Sequence, residues 1–171
     1  MTHDLSKALT GISGILVTPY DDKGEIAPAK LAPILDRVVA AGVHLPVVNG
    51  NTGEFYALTT DEACTMVAEV CAMVGDRAPV LAGVGRGIRD ACRLAEASAR
   101  AGASALMIHQ PPDPFVAPRG TLDYVKAVGD ASGGLPIMLY LRNDAIGTDG
   151  IKALCDLPGV KGVKWATPNP L

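Results

Sequence analysis

Aromatic residues are scarce in this chain: two Phe, one Trp and four Tyr make up 4% of its 171 residues. The hydrophobic fraction is nonetheless 49%, so Ala, Val, Leu and Gly must build the core. That composition suits buried parallel strands covered by Ala-rich helices, and the length suffices for one domain with a real core. An excess of one charge is lacking too. Lys and Arg number 15 against 18 Asp and Glu, for a net charge of -3, and the signs are interspersed. Without a basic stripe or polybasic tail, neither nucleic acid nor a membrane surface is expected as a partner. No apolar run is long enough to cross a bilayer. The start, Met1-Thr2-His3-Asp4, lacks the apolar core of a signal peptide. Cys64, Cys71, Cys92 and Cys155 form no CxxC. They are expected to be reduced packing residues of a cytoplasmic protein rather than disulfides or a zinc site.

What is present is an alternation. Strands are predicted at Ser13–Thr18, Val43–Asn49, Pro79–Val84, Ala103–His109, Leu135–Leu141 and Val160–Trp165. Helices are predicted at Pro28–Ala41, Thr60–Val74 with Thr60 as N-cap, Asp90–Ala101, Gly120–Ala131 and Thr148–Cys155. Residues 110–118 read as a Pro-rich loop. Such a pattern gives an α/β fold with a parallel sheet and right-handed crossovers, in one undivided domain. Two architectures fit: a doubly wound open sheet, which six strands alone would favour, and a (β/α)8 barrel, which needs about eight units. A nucleotide-binding open sheet would need a phosphate loop after its first strand, and Thr18-Pro19-Tyr20 provides none.

In either architecture, reactive groups sit at the C-terminal ends of the strands. The last strand, Val160-Lys-Gly-Val-Lys-Trp165, carries a lysine where burial is expected. Side-chain alternation places Val160, Gly162 and Lys164 on one face. If that face points inward, Lys164 is a desolvated amine, nucleophilic near neutral pH. Otherwise it is an ordinary surface lysine. Gly50-Asn51-Thr52-Gly53-Glu54 follows the second strand, and its amides and hydroxyl could bind a carboxylate or simply form a tight turn. The fifth strand places Met138, Tyr140 and Arg142 on one face, a phenol for proton transfer and a guanidinium for a carboxylate. Thr18, Tyr20 and His109 are weaker candidates. Asp113, Asp123 and Asp144 show no metal-ligand spacing.

Four of these pieces resemble, in order and spacing, the dihydrodipicolinate synthase / N-acetylneuraminate lyase family: Gly14-Ile-Leu-Val-Thr-Pro-Tyr20, Gly50-Asn-Thr-Gly-Glu54, Tyr140, and Gly162-Val-Lys164. The resemblance covers nearly the whole chain. It implies a (β/α)8 barrel and class I aldolase-type chemistry on pyruvate or another 2-keto acid, with no metal or organic cofactor because a lysine imine is the electron sink. Lys164 matches the Schiff-base lysine and Tyr140 the proton-relaying tyrosine. Thr52 matches the second hydroxyl residue of the carboxylate loop, to which Gly50, Asn51 and Gly53 also belong. Thr18 and Arg142 would complete the substrate site.

The chain also departs from that pattern. Asn51 stands where the family has a threonine, and the loop His109-Gln-Pro-Pro-Asp-Pro-Phe115 lacks a synthase's tyrosine. Arg142 follows Tyr140 by two residues, as in the branch that dehydrates 5-dehydro-4-deoxyglucarate. Family barrels continue past the lysine. The chain is therefore expected to form an open, partial barrel of about six strands with five covering helices. It would be a truncated product that aggregates, or that is completed by its own copies in a homo-oligomer or by a complementing chain. Its lysine would be wetter than a full barrel's. A non-catalytic remnant or assembly module is the competing expectation.

Overall fold

A computed structural model describes residues 4–113 and 115–168. The start of the chain, Pro114 of the Pro-rich loop, and Asn169, Pro170 and Leu171 lie outside the described residues.

Six strands form one sheet: β1 (Ser13–Ile15), β2 (Leu45–Val48), β3 (Leu81–Val84), β4 (Ala105–His109), β5 (Ile137–Leu141) and β6 (Val160–Trp165). Their spatial order is their sequence order, and every neighbouring pair is parallel. That order bears out the partial barrel expected from the family resemblance and excludes the doubly wound sheet. A doubly wound sheet reverses direction part-way, whereas here each crossover steps the same way, as in a barrel. Five helices make the crossovers: α2 (Ala32–Ala40), α3 (Thr60–Val74), α4 (Ile88–Arg100), α5 (Pro118–Ala131) and α6 (Gly147–Cys155), while α1 (Leu5–Leu9) precedes the sheet. The result is a half-barrel with its helices outside.

Two apolar clusters mark the two faces of the sheet. Outside, Val48, Ala82, Val84, Leu106, Ile108, Leu139 and Leu141 pack with helix residues such as Val67, Leu94 and Val125. Inside, Leu45, Val47, Leu81, Ala105, Met107 and Tyr140 pack together with Ala8 of α1. The period-2 alternation of each strand assigns its residues to one face or the other. In α4 the buried positions Ala91, Leu94, Ala95 and Ser98 follow helical spacing, and the Ser98 hydroxyl donates to the Leu94 carbonyl at 2.7 Å.

Several local expectations are corrected. The N-cap of α3 is Thr59, not Thr60. Thr59 Oγ1 accepts from the Glu62 amide while Glu62 reaches back to Thr59 N, a capping box. β3 begins at Leu81 rather than Pro79, because proline has no N–H to donate and the Val80 amide goes to Ser104 Oγ (3.2 Å) instead. The helix α1 was not anticipated; Asp4 caps it through the Lys7 amide. Val160 does not share a face with Gly162 and Lys164. The register slips between Ile137↔Val160 and Met138↔Gly162, so exposed Lys161 is an extra residue. Val160 therefore joins Val163 and Trp165 against the helices, while Lys164 lies beside inward-facing Tyr140.

Candidate active site

The inward face ends, at the C-terminal edge of the strands, in a polar cluster centred on Tyr140. Its ring is buried on β5, and Lys164 of β6 is its register partner. Lys164 Nζ lies 4.2 Å from the ring centroid. Gly162, one inward position earlier, leaves the space that Met138 fills; a Cβ there would lie 3.2 Å from the Met138 methyl. Partial burial pulls the Lys164 amine below the ordinary lysine value, which enlarges its neutral, nucleophilic fraction.

The loop after β2 folds over this cluster. Residues Asn51–Gly53 make one 3-10 turn, with Gly53 N bonded to Gly50 O (3.0 Å) and Glu54 N to Asn51 O (3.0 Å). The amides of Asn51 and Thr52 open the turn and have no carbonyl acceptor within it, which suits a carboxylate. Asn51 and Thr52 are exposed and Gly53 is buried. Asn51 Nδ2 donates to the Tyr140 hydroxyl at 3.3 Å. Gly50 sits where a Cβ would meet Ile15 Cγ2 at 2.6 Å, and Gly53 where one would meet the Leu16 carbonyl at 2.6 Å. Both must therefore be glycine for the loop to pack this close. Buried Thr18 donates its hydroxyl to the Gly53 carbonyl at 2.6 Å. It supports the loop from behind.

Arg142 joins the cluster from the end of β5. Its guanidinium carbon lies 5.5 Å from the Tyr140 ring centre and 5.3 Å from that of Tyr56, and Nη2 donates to the Tyr56 hydroxyl at 2.9 Å. Buried Gln110 fixes this segment, its side-chain oxygen accepting from the amides of Arg142 (2.8 Å) and Asn143 (2.9 Å). Lys164, Tyr140, Asn51 and Arg142 thus meet in one site. Thr52, Gly50 and Gly53 line its rim, and Thr18 braces it. Tyr20 forms an isolated bridge with Ile26 and packs against the outer apolar cluster. Phe115, in the loop where a tyrosine was sought, is 92% exposed.

Sequence reasoning passed over Asn49, Phe55, Tyr56, Arg86 and Gln110. Arg86 adopts φ +76° between Gly85 and Gly87. Its guanidinium donates to the carbonyls of Phe55 (2.6 Å) and Leu58 (2.5 Å) and to Thr60 Oγ1 (3.0 Å), and stacks 4.6 Å from the Phe55 ring centre. An arginine flanked by glycines at a strand end was the available signal.

Among the described residues no group of three or more His, Cys, Asp or Glu could hold a metal ion. No helix among them is long and apolar enough to cross a membrane. All four cysteines are free thiols.

Comparison with known proteins agrees with the fold. A model of the dihydrodipicolinate synthetase family matches residues 8–170. The 4-hydroxy-tetrahydrodipicolinate synthase of Xanthomonas campestris is 33% identical over 168 residues, covering 95% of this chain and 55% of that protein. The crystal structure of dihydrodipicolinate synthase from Oceanobacillus iheyensis superposes with a TM-score of 0.90 at 34% identity, over 97% of this chain and 55% of that one. A prophage protein of the dihydrodipicolinic acid synthase family from E. coli K12, solved in complex with pyruvate, matches with a TM-score of 0.83 at 27% identity, over 91% of this chain and 54% of that one. The chain spans about half the length of the curated relatives it matches.

Proposed function

Because this chain belongs to the dihydrodipicolinate synthetase family, we propose that it is a Schiff-base-forming lyase acting on pyruvate or another 2-keto acid. The observation that carries the reading is the seat of Lys164: an inward-facing, partly desolvated amine 4.2 Å from the ring of Tyr140, under a loop with two open amides. The unprotonated amine attacks the C2 carbonyl, the carbinolamine loses water, and the protonated imine withdraws electrons from the neighbouring carbon. A C–C bond or a leaving hydroxyl beside it can then break. Tyr140 carries protons to and from the reacting atoms. The amides of Asn51 and Thr52, with the Thr52 hydroxyl, bind the substrate carboxylate, and Arg142 holds a distal hydroxyl or carboxylate. No metal or organic cofactor is required, because the lysine itself provides the electron sink.

The finer reading is cleavage or dehydration of a 2-keto sugar acid rather than a synthase's condensation. Asn51 touches the Tyr140 hydroxyl through an amide N–H. That group orients the phenol but cannot take its proton onward, so a hydroxyl relay is not assembled here. The reading carries with it the covering of β6, whose residues are all exposed or half-exposed here. The same exposure favours the alternative, a non-catalytic family member whose lysine stays too wet to react.

Incubation with pyruvate and borohydride, followed by mass spectrometry, separates the two. A pyruvate-sized adduct on Lys164, absent from Lys164→Ala, supports the lyase. No adduct on soluble, natively folded protein supports the alternative.

A further inference from the structure

Between β2 and β4 lies β3, yet a β4 side chain bonds to the end of β2 across it. His109 Nε2 donates to the Asn49 carbonyl at 3.2 Å, and both residues are buried, at 0% and 2% exposure. The crossing works because β3 is bare there. A Cβ on Gly83 would stand 2.1 Å from Asn49 O and 3.0 Å from His109 Nε2, and one on Gly85 would stand 2.9 Å from His109 Cβ. We propose that His109 is a positioning residue for the carboxylate loop, reaching over Gly83 to fix Asn49 and, through it, the amides of Asn51 and Thr52. The proposal rests on the reading that this loop binds the substrate carboxylate.

Asn49 is the hinge of that loop. It sits at φ +58°, a left-handed conformation that a non-glycine residue keeps only when its surroundings hold it. Its side chain holds one side, Nδ2 donating to the Ala63 carbonyl of α3 at 3.0 Å. His109 holds the other. The ring is locked in turn by Phe55, Tyr56 and Tyr140, whose centres lie 4.7, 5.7 and 5.2 Å away. One imidazole therefore sets both the loop and the edge of the Tyr140 ring. A carbonyl oxygen can only accept, so the neutral ring carries its proton on Nε2. Nδ1 is buried without a partner. Burial, with Arg142, Lys164 and Arg86 nearby, holds the imidazole at about 4 against an ordinary 6.5. It stays neutral at working pH, which suits a positioner and not a proton shuttle.

The test measures borohydride trapping against pyruvate concentration in the full chain, with His109→Leu, His109→Gln and Gly83→Ala. His109→Leu keeps apolar bulk and loses the donor, and a glutamine amide can restore it. The half-saturating pyruvate concentration should rise about tenfold in His109→Leu with the plateau rate within about threefold, and return most of the way in His109→Gln. Gly83→Ala, which blocks the crossing, should resemble His109→Leu. Should His109→Leu not fold, His109→Gln against Gly83→Ala carries the same contrast. An unchanged half-saturation in His109→Leu or Gly83→Ala overturns the proposal. So does a collapse of the plateau rate alone, or a wild-type inflection near pH 6.5 that His109→Gln removes, since either would make the imidazole an acid–base group. Hydrogen exchange at Gly53, Glu54 and Phe55 gives a readout independent of chemistry. It should quicken about tenfold in His109→Leu even if the wild type traps no pyruvate. In that case the lyase reading fails and the positioning role stands; unchanged exchange removes the role as well.

Discussion

Lys164 Nζ sits over the face of Tyr140, 4.2 Å from the ring centroid, and not against its hydroxyl, which accepts instead from Asn51 Nδ2. The aromatic face favours the ammonium while burial disfavours it. Burial pulls the amine below its ordinary value.

This balance has a pH signature. Below the Lys164 pKa the ammonium cannot attack, and above it the amine can, so trapping quickens as pH rises. Because the folded value is depressed, the midpoint should fall below the ordinary lysine value of 10.5. Trapping rates measured across the alkaline range check this. A midpoint at or above 10.5 would mean that the amine is not desolvated.

Tyr140→Phe keeps the ring under Lys164 and removes the hydroxyl proposed to carry protons. The imine with pyruvate should still form. Exchange of the pyruvate methyl protons with deuterated water, which needs a positioned base, should slow by about 10²–10⁴-fold. Proton NMR of the methyl signal reads it directly, and wild-type exchange in this variant would remove Tyr140 from the mechanism.

Thr18→Val deletes a buried hydroxyl and leaves the Gly53 carbonyl without its 2.6 Å partner. The expected loss is about 1–3 kcal/mol, seen as a lower urea midpoint at an unchanged m-value. A loss well below this range would mean that the loop is held mainly by other contacts.

Arg86→Lys keeps the charge and gives up the planar fork that reaches Phe55, Leu58 and Thr60 together. Stability should fall by about 2 kcal/mol. Arg86→Gly relieves the positive φ and still loses every guanidinium bond, so it too should fall below wild type. Thermal unfolding of both variants is the check. A gain in Arg86→Gly would mean that the strained backbone outweighs the guanidinium contacts, and no loss in Arg86→Lys would mean that the planar fork adds nothing to the charge.

How much of this was legible beforehand depends on the range of the physics involved. Alternating strands and helices follow from periodicity, and β6 was read with both its ends correct because its β-branched run is local. Thr59 was missed as a cap by one residue, since both hydroxyls suit the role and only the reach of Glu62 chooses between them. The helix α1 was missed although Asp4, Leu5, Ala8 and Leu9 carry the spacing, because one short turn is marginal until Ala8 and its neighbours find the inner cluster.

The sequence by itself determined the α/β class, the candidate lysine and tyrosine, and the glycine-rich loop, because these reside in residue types at fixed local spacing. Only the tertiary structure decided the rest. Strand order bears out the partial barrel that the family motifs implied, a choice that periodicity alone leaves open because it says nothing of which way a crossover turns. The slip between β5 and β6 sent Val160 outward and kept Lys164 inward, because register is set by packing across strands. The grip of His109 on Asn49, 60 residues apart in sequence, exists only because folding lays a bare Gly83 between them.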